Sequence, residues 1–241
     1  MINLNLALNT GVDIPVPEQQ LTIHQPSISE ISRIGEQAYF VGAQCLCVNK
    51  TMYIKDESLL NTTNNFQIFM TIMADKQSAS KKKDTLSTLT LLFPSYNIMF
   101  TPRALVLSQG QENIMVDENN FEFLQSIFQQ IFCLDGSGQE SFNPGNEAAR
   151  RIAEKLMRAR QRVAAQQESE SKNDSTFGRL ISILSVGLNM SKRDLAEHTP
   201  FQIYDLIERY TLFVNWDLDI RSRLAGGKPD SQVDNWMKPI H

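Results

Sequence analysis

The chain is poor in the residues that most catalytic and metal chemistry requires. Its 241 residues include only three histidines and three cysteines. His24, His198 and His241 lie far apart, and none stands at metal-ligand spacing from a cysteine or a second histidine. Cys45 and Cys47 form a lone Cys-x-Cys inside an apolar stretch, Val-Gly-Ala-Gln-Cys-Leu-Cys-Val, where buried thiols pack as small hydrophobes. An odd cysteine count offers no disulfide framework and fits a reducing compartment. No Gly-x-Ser-x-Gly, P-loop or dinucleotide fingerprint occurs, and Gly136-Ser137-Gly138 reads as linker. No catalytic residue, cofactor or metal is therefore expected, and the chain reads as non-enzymatic.

Long apolar runs are missing as well. The longest, such as Leu-Thr-Leu-Leu-Phe at residues 89–93, is far shorter than a membrane span. The first twenty residues have no basic start and no cleavage pattern, so no secretory signal is expected. A net charge of -4 argues against wholesale nucleic-acid binding. A hydrophobic content of 41% with 21% charged residues suits a folded chain with a real core.

What is present divides at Gly145. The front part reads as a small mixed α+β domain over residues 1–134. Residues 2–8 alternate polar and apolar positions as a half-buried strand does, and residues 20–24 read as a second strand. Ser27 followed by Glu30 is a capping-box pattern, and Ile28, Ile31, Ile34 and Ala38 follow it at helical spacing. A further helix is predicted over residues 64–83 with Phe66, Phe69, Met70 and Met73 inward, and Asp84 is placed to cap the next, which stops before Pro94. Residues 97–100 and 104–107 flank a Thr-Pro-Arg turn, with a third strand at 113–116. Asp117 then caps a helix that puts Phe121, Leu124, Phe128 and Ile131 on one face.

The rest reads as an all-α module held on linkers. Residues 135–145 are a polar linker. Residues 146–167 form a basic amphipathic helix in which Ile152, Leu156, Ala159 and Val163 make a coiled-coil-like seam. Arg151, Lys155, Arg158 and Arg162 run beside it as a basic stripe. Such a stripe suits a solvated face, an acidic partner or phosphates, but no aromatic interleaves it as base stacking requires. A seam of two heptads is too short to stand alone in water, so it packs on its own domain, a second copy or a partner. After a linker at 168–175, residues 176–227 make a helical module and 228–241 an extended tail. Within the module, Ser191 with Asp194, and Thr199-Pro200 with Gln202, are helix-start signals. The helix after Thr199 carries Phe201, Leu206, Ile207, Tyr210, Phe213 and Val214, with Gly226 set to end it. Its Asp205 and Glu208 would be repelled by DNA, which disfavours groove reading.

The segment Gly-Leu-Asn-Met-Ser-Lys-Arg-Asp-Leu-Ala-Glu-His-Thr-Pro-Phe-Gln-Ile-Tyr-Asp-Leu-Ile-Glu-Arg-Tyr, residues 187–210, together with the strand-then-capped-helix opening, resembles tail assembly chaperones of long-tailed bacteriophages. That resemblance implies a non-enzymatic protein of the host cytoplasm. Several copies would coat the tape measure protein during tail morphogenesis and keep its apolar helices soluble. The resemblance transfers no individual binding residue; by their own pattern, partner contacts are expected at the seam and stripe of 146–167 and at Phe201 and Tyr210, with homo-oligomers allowed and no membrane. Two rival readings are a structural tail or baseplate component retained in the virion, and a DNA-binding regulator or packaging factor.

Overall fold

The computed structural model describes residues 3–134, 175–226 and 236–237. The chain is α+β, with short antiparallel strands among helices. The opening segment is a helix, α1 (Leu4–Thr10), and not the strand that its alternation suggests. Leu4, Ala7 and Leu8 also satisfy helical spacing, so two periods fit so short a stretch. Asn3 decides between them by accepting the Leu6 N–H at 3.2 Å, and Gly11 closes the helix in the left-handed region. Strands β1 (Ile14–Val16) and β2 (Leu21–Ile23) form a hairpin with Ile14 opposite Ile23.

Helix α2 (Ile28–Ile34) carries the expected capping box: the Ser27 hydroxyl accepts the Glu30 N–H, and the Glu30 carboxylate accepts the Ser27 N–H at 2.8 Å. Gly35, at φ +91°, then breaks the helical stripe and α3 (Glu36–Leu46) starts in a new direction. The surface helix α4 (Glu57–Thr62) follows. The single helix expected over 64–83 is two. Helix α5 (Asn65–Ala74) stops at Asp75, whose carboxylate accepts the Gln77 N–H at 3.0 Å and the Ser78 hydroxyl at 2.9 Å in a tight turn. Helix α6 (Ala79–Leu92) begins after that turn, so Asp84 lies inside it and caps nothing. Local side-chain bonding to the backbone there outcompetes helix propagation.

Strands β3 (Asn97–Phe100), β4 (Leu105–Gln109) and β5 (Glu112–Val116) form an antiparallel sheet in that order. Leu105, Leu107 and Val116 face the core, while the cross-strand row Met99–Val106–Met115 faces outward with both methionines exposed. Helix α7 (Phe121–Ile131) follows a turn in which Asp117 organises Asn119 and Asn120. The N-cap position is Asn120 and not Asp117.

Helices α8 (Thr176–Leu188), α9 (Lys192–Ala196) and α10 (Pro200–Leu224) complete the described structure. Their apolar faces do not stand apart on a tether. Phe177, Ile181, Leu184, Leu195, Phe201 and Ile203 belong to the same buried cluster as Ile31, Tyr39, Leu89 and Phe128. Phe177 stacks on Phe40 at 5.4 Å, meets the edge of Tyr39 at 6.3 Å and touches Tyr204 at 6.2 Å. The start of α8 is capped from the front half, where Glu36 accepts the N–H groups of Thr176 at 2.8 Å and Phe177 at 3.3 Å and the Ser175 hydroxyl. A carboxylate there satisfies N–H groups without helical partners and opposes the positive end of the dipole. An amphipathic helix finds its apolar partner wherever one is open, and here α3 offers it through Tyr39 and Phe40, beside Tyr204 of α10. Among the described residues no helix is long and apolar enough to cross a membrane.

Candidate protein interface

Helix α10 is buried at its start and exposed at its end. Its start is over-determined. The Thr199 hydroxyl accepts the Gln202 N–H, and the Gln202 side-chain oxygen accepts the Thr199 N–H at 2.9 Å. The same Gln202 side chain donates to Asn9 O at 2.9 Å, which ties α10 to the end of α1. Pro200, Phe201 and Ile203 are buried in that first turn. Tyr210 lies half-buried against Gly187 near the end of α8.

Beyond Tyr210 no residue of α10 is buried. The helix has 25 residues, about 37 Å at its ordinary rise, so more than half of it extends past the core. Phe213, Leu218 and Leu224 are exposed at 42%, 59% and 83%. Phe213, Trp216, Ile220 and Leu224 share one helical face by spacing, and Val214 and Leu218 lie on the other side of the helix. Asp217–Arg221 at 2.8 Å and Asp219–Arg223 at 2.6 Å pair one turn apart and give this apolar surface a charged margin. Trp236 folds back onto the same face. Its ring meets Phe213 edge-on at 5.6 Å and Trp216 at 6.5 Å, and its carbonyl accepts a hydrogen bond from Arg209 Nη1 at 3.0 Å.

A second feature lies at the foot of α10. A polar cleft of about 550 Å³ opens between α1, α2 and the α9–α10 turn, bounded by Thr10, His24, Glu30, Arg33, Glu197 and His198. His24 spans it, with Nδ1 at 2.8 Å from Asp13 and Nε2 at 3.2 Å from Glu30. Both ring nitrogens face carboxylates, and both can donate only in the imidazolium. Burial opposes that charge, but the hydrogen bonds to Asp13 and then Glu30 outweigh it and hold the His24 pKa above its ordinary value. For Glu30, burial is likewise outweighed, by the Ser27 N–H and then by His24, so its pKa is lowered. Gln25 beside them is buried and donates to Ala7 O at 2.9 Å and to Val12 O. The Ile28 N–H donates to His198 O at 2.9 Å, so the cleft floor joins α2 to α9. His24, Glu30 and Ser27 are engaged with one another, and the Ile28–His198 bond holds the α9–α10 turn in place.

The expected partner-binding residues fall in two sets. Arg151, Ile152, Lys155, Leu156, Arg158, Ala159, Arg162 and Val163 lie outside the described residues. Phe201 is a core residue at 8% exposure, and Tyr210 fills the α8–α10 junction. The residues that α10 does present (Phe213, Trp216, Leu218 and Leu224) were only partly legible. Phe213 was read as part of an amphipathic stripe, but no spacing told where the core would end. Cys45 is buried, whereas Cys47, expected to be buried beside it, is half-buried, and no group of three or more His, Cys, Asp or Glu among the described residues could hold a metal ion. No family model matches the chain, and no curated protein or solved structure is similar to it.

Proposed function

We propose that this chain is a non-enzymatic tail assembly chaperone of a long-tailed bacteriophage. In the host cytoplasm it would bind the tape measure protein through the outer part of α10 during tail morphogenesis. One observation carries the reading: a helix anchored firmly at its base runs on past the core and exposes Phe213 and Leu224 on one face between charged margins. A chaperone for a long helical client needs such a face, apolar in the middle, polar at its edges and modest in area, so that many weak contacts sum along the client. Exposed apolar surface on a helix is costly to keep unless something covers it. The resemblance at residues 187–210 supports the same reading, since that stretch forms the α8–α9–α10 corner from which the face projects.

The test is co-expression with the tape measure protein of the same phage. The wild-type chain keeps the client soluble and co-purifies with it, and the variant Phe213→Ser/Ile220→Ser/Leu224→Ser loses at least 90% of the captured client, on the order of 1.4 kcal/mol or more of coupling. Unchanged capture by the triple variant would move the interface elsewhere. Finding the chain in purified virions in stoichiometric amount would overturn the chaperone in favour of a structural tail component.

A further inference from the structure

We propose that the Arg209–Phe213–Trp216 face of α10 is a peptide-binding site which the chain fills with its own Trp236. The site takes a segment that presents an indole-sized ring beside a free main-chain carbonyl. The geometry has two points of recognition in register. Arg209, Phe213 and Trp216 follow one another at helical spacing on a single face. Phe213 and Trp216, 6.3 Å apart at 32°, form one wall against which the Trp236 ring stands. The guanidinium, one turn below, holds the Trp236 carbonyl at 3.0 Å. A ring alone would be sticky. A ring and a carbonyl set by the same rigid helix specify a backbone direction.

The contact is built to be exchanged. Core aromatics such as Phe177 and Phe121 are at most 2% exposed, whereas Phe213 keeps 42% of its surface in water and the neighbouring Met237 keeps 65%. Pairs of half-exposed rings contribute modestly and open readily. Trp236 holds its seat because it belongs to the same chain, which gives it an effective concentration in the millimolar range. A free peptide of equal chemistry binds the same seat only once Trp236 leaves it. This inference does not rest on the chaperone reading: it concerns a peptide seat and requires no client.

The experiment uses the full-length chain and a labelled synthetic peptide, Lys-Pro-Asp-Ser-Gln-Val-Asp-Asn-Trp-Met-Lys-Pro-Ile-His, which copies residues 228–241. Fluorescence anisotropy is read against wild type, Trp236→Ala and Trp236→Ala/Phe213→Ala, with circular dichroism as the check on folding. Trp236→Ala binds the peptide, wild type binds it at least about tenfold more weakly because its own segment competes, and the double variant loses it. A peptide with alanine in place of its tryptophan fails to bind. Equal binding to wild type and Trp236→Ala, or binding that survives loss of the peptide's tryptophan, overturns the proposal. Arg209→Ala in the otherwise native chain gives an independent reading: iodide quenching of tryptophan fluorescence rises as Trp236 loosens, and unchanged quenching removes the carbonyl clamp from the site.

Discussion

Replacing Leu184 by alanine tests whether the C-terminal helices belong to the body of the protein. Leu184 sits on the inner face of α8 with none of its surface in water, in the same buried cluster as Tyr39, Leu92 and Phe132. Removing a fully buried leucine side chain costs its transfer energy plus the cavity left behind, together about 2–5 kcal/mol. That is a large share of the roughly 5–15 kcal/mol that holds a domain folded. Both tryptophans, Trp216 and Trp236, lie on the α10 side, so fluorescence reports that end of the chain. Far-ultraviolet circular dichroism reports all the helices. With one shared core, urea unfolding gives coincident transitions by both probes, and Leu184→Ala moves both midpoints down together by about 0.7 M or more, given slopes of about 1–3 kcal/mol per molar. A fluorescence transition that shifts while the bulk of the circular dichroism stays where it was would refute the shared core and restore a separately folded tail. A cost below about 1 kcal/mol would refute the packing argument at Leu184 itself.

Two further perturbations probe the scaffold beneath α10. A methyl group added at Gly42, where α3 crosses α6, would sit 2.1 Å from Thr88 Oγ1 and 2.6 Å from its Cβ, so Gly42→Ala is expected to lose about 3 kcal/mol in chemical denaturation despite alanine's better helix propensity; a neutral result would mean that the two helices part freely. His24 predicts a pH dependence with a definite sign. Its folded pKa is raised, so its stabilisation is complete below the ordinary 6.5 and fades as pH rises through the folded value. Glu30, with a lowered pKa, works the other way, and its contribution is lost as pH falls below the ordinary 4.5. Thermal melts should therefore show the wild type losing ground to His24→Gln as pH rises above 6.5, and parallel curves for the two proteins would remove His24 from the account.

Local chemistry was legible wherever a short-range pattern sufficed. The capping boxes at Ser27–Glu30 and Thr199–Gln202, the Ser191 cap and the β3–β4–β5 meander all stand where the sequence places them. These signals work because each is complete within about four residues, between a side chain and the backbone beside it. Misreadings came where two local solutions compete over a few residues. The opening stretch fits both a strand and a helix, and the turn at Asp75 splits what periodicity alone runs together.

By itself the sequence determined that the chain is α+β, that Thr199 starts a long helix, and that this helix carries an apolar face from Phe201 onward. Only the tertiary structure decided what that face covers. An amphipathic pattern states that a stripe must be hidden from water and is silent on whether its own chain or another molecule hides it. Here the start of that helix, from Phe201 to Tyr210, is covered by its own chain, and the packing ends beside Tyr210, which is why the outer part of α10 is left in water with Trp236 against it.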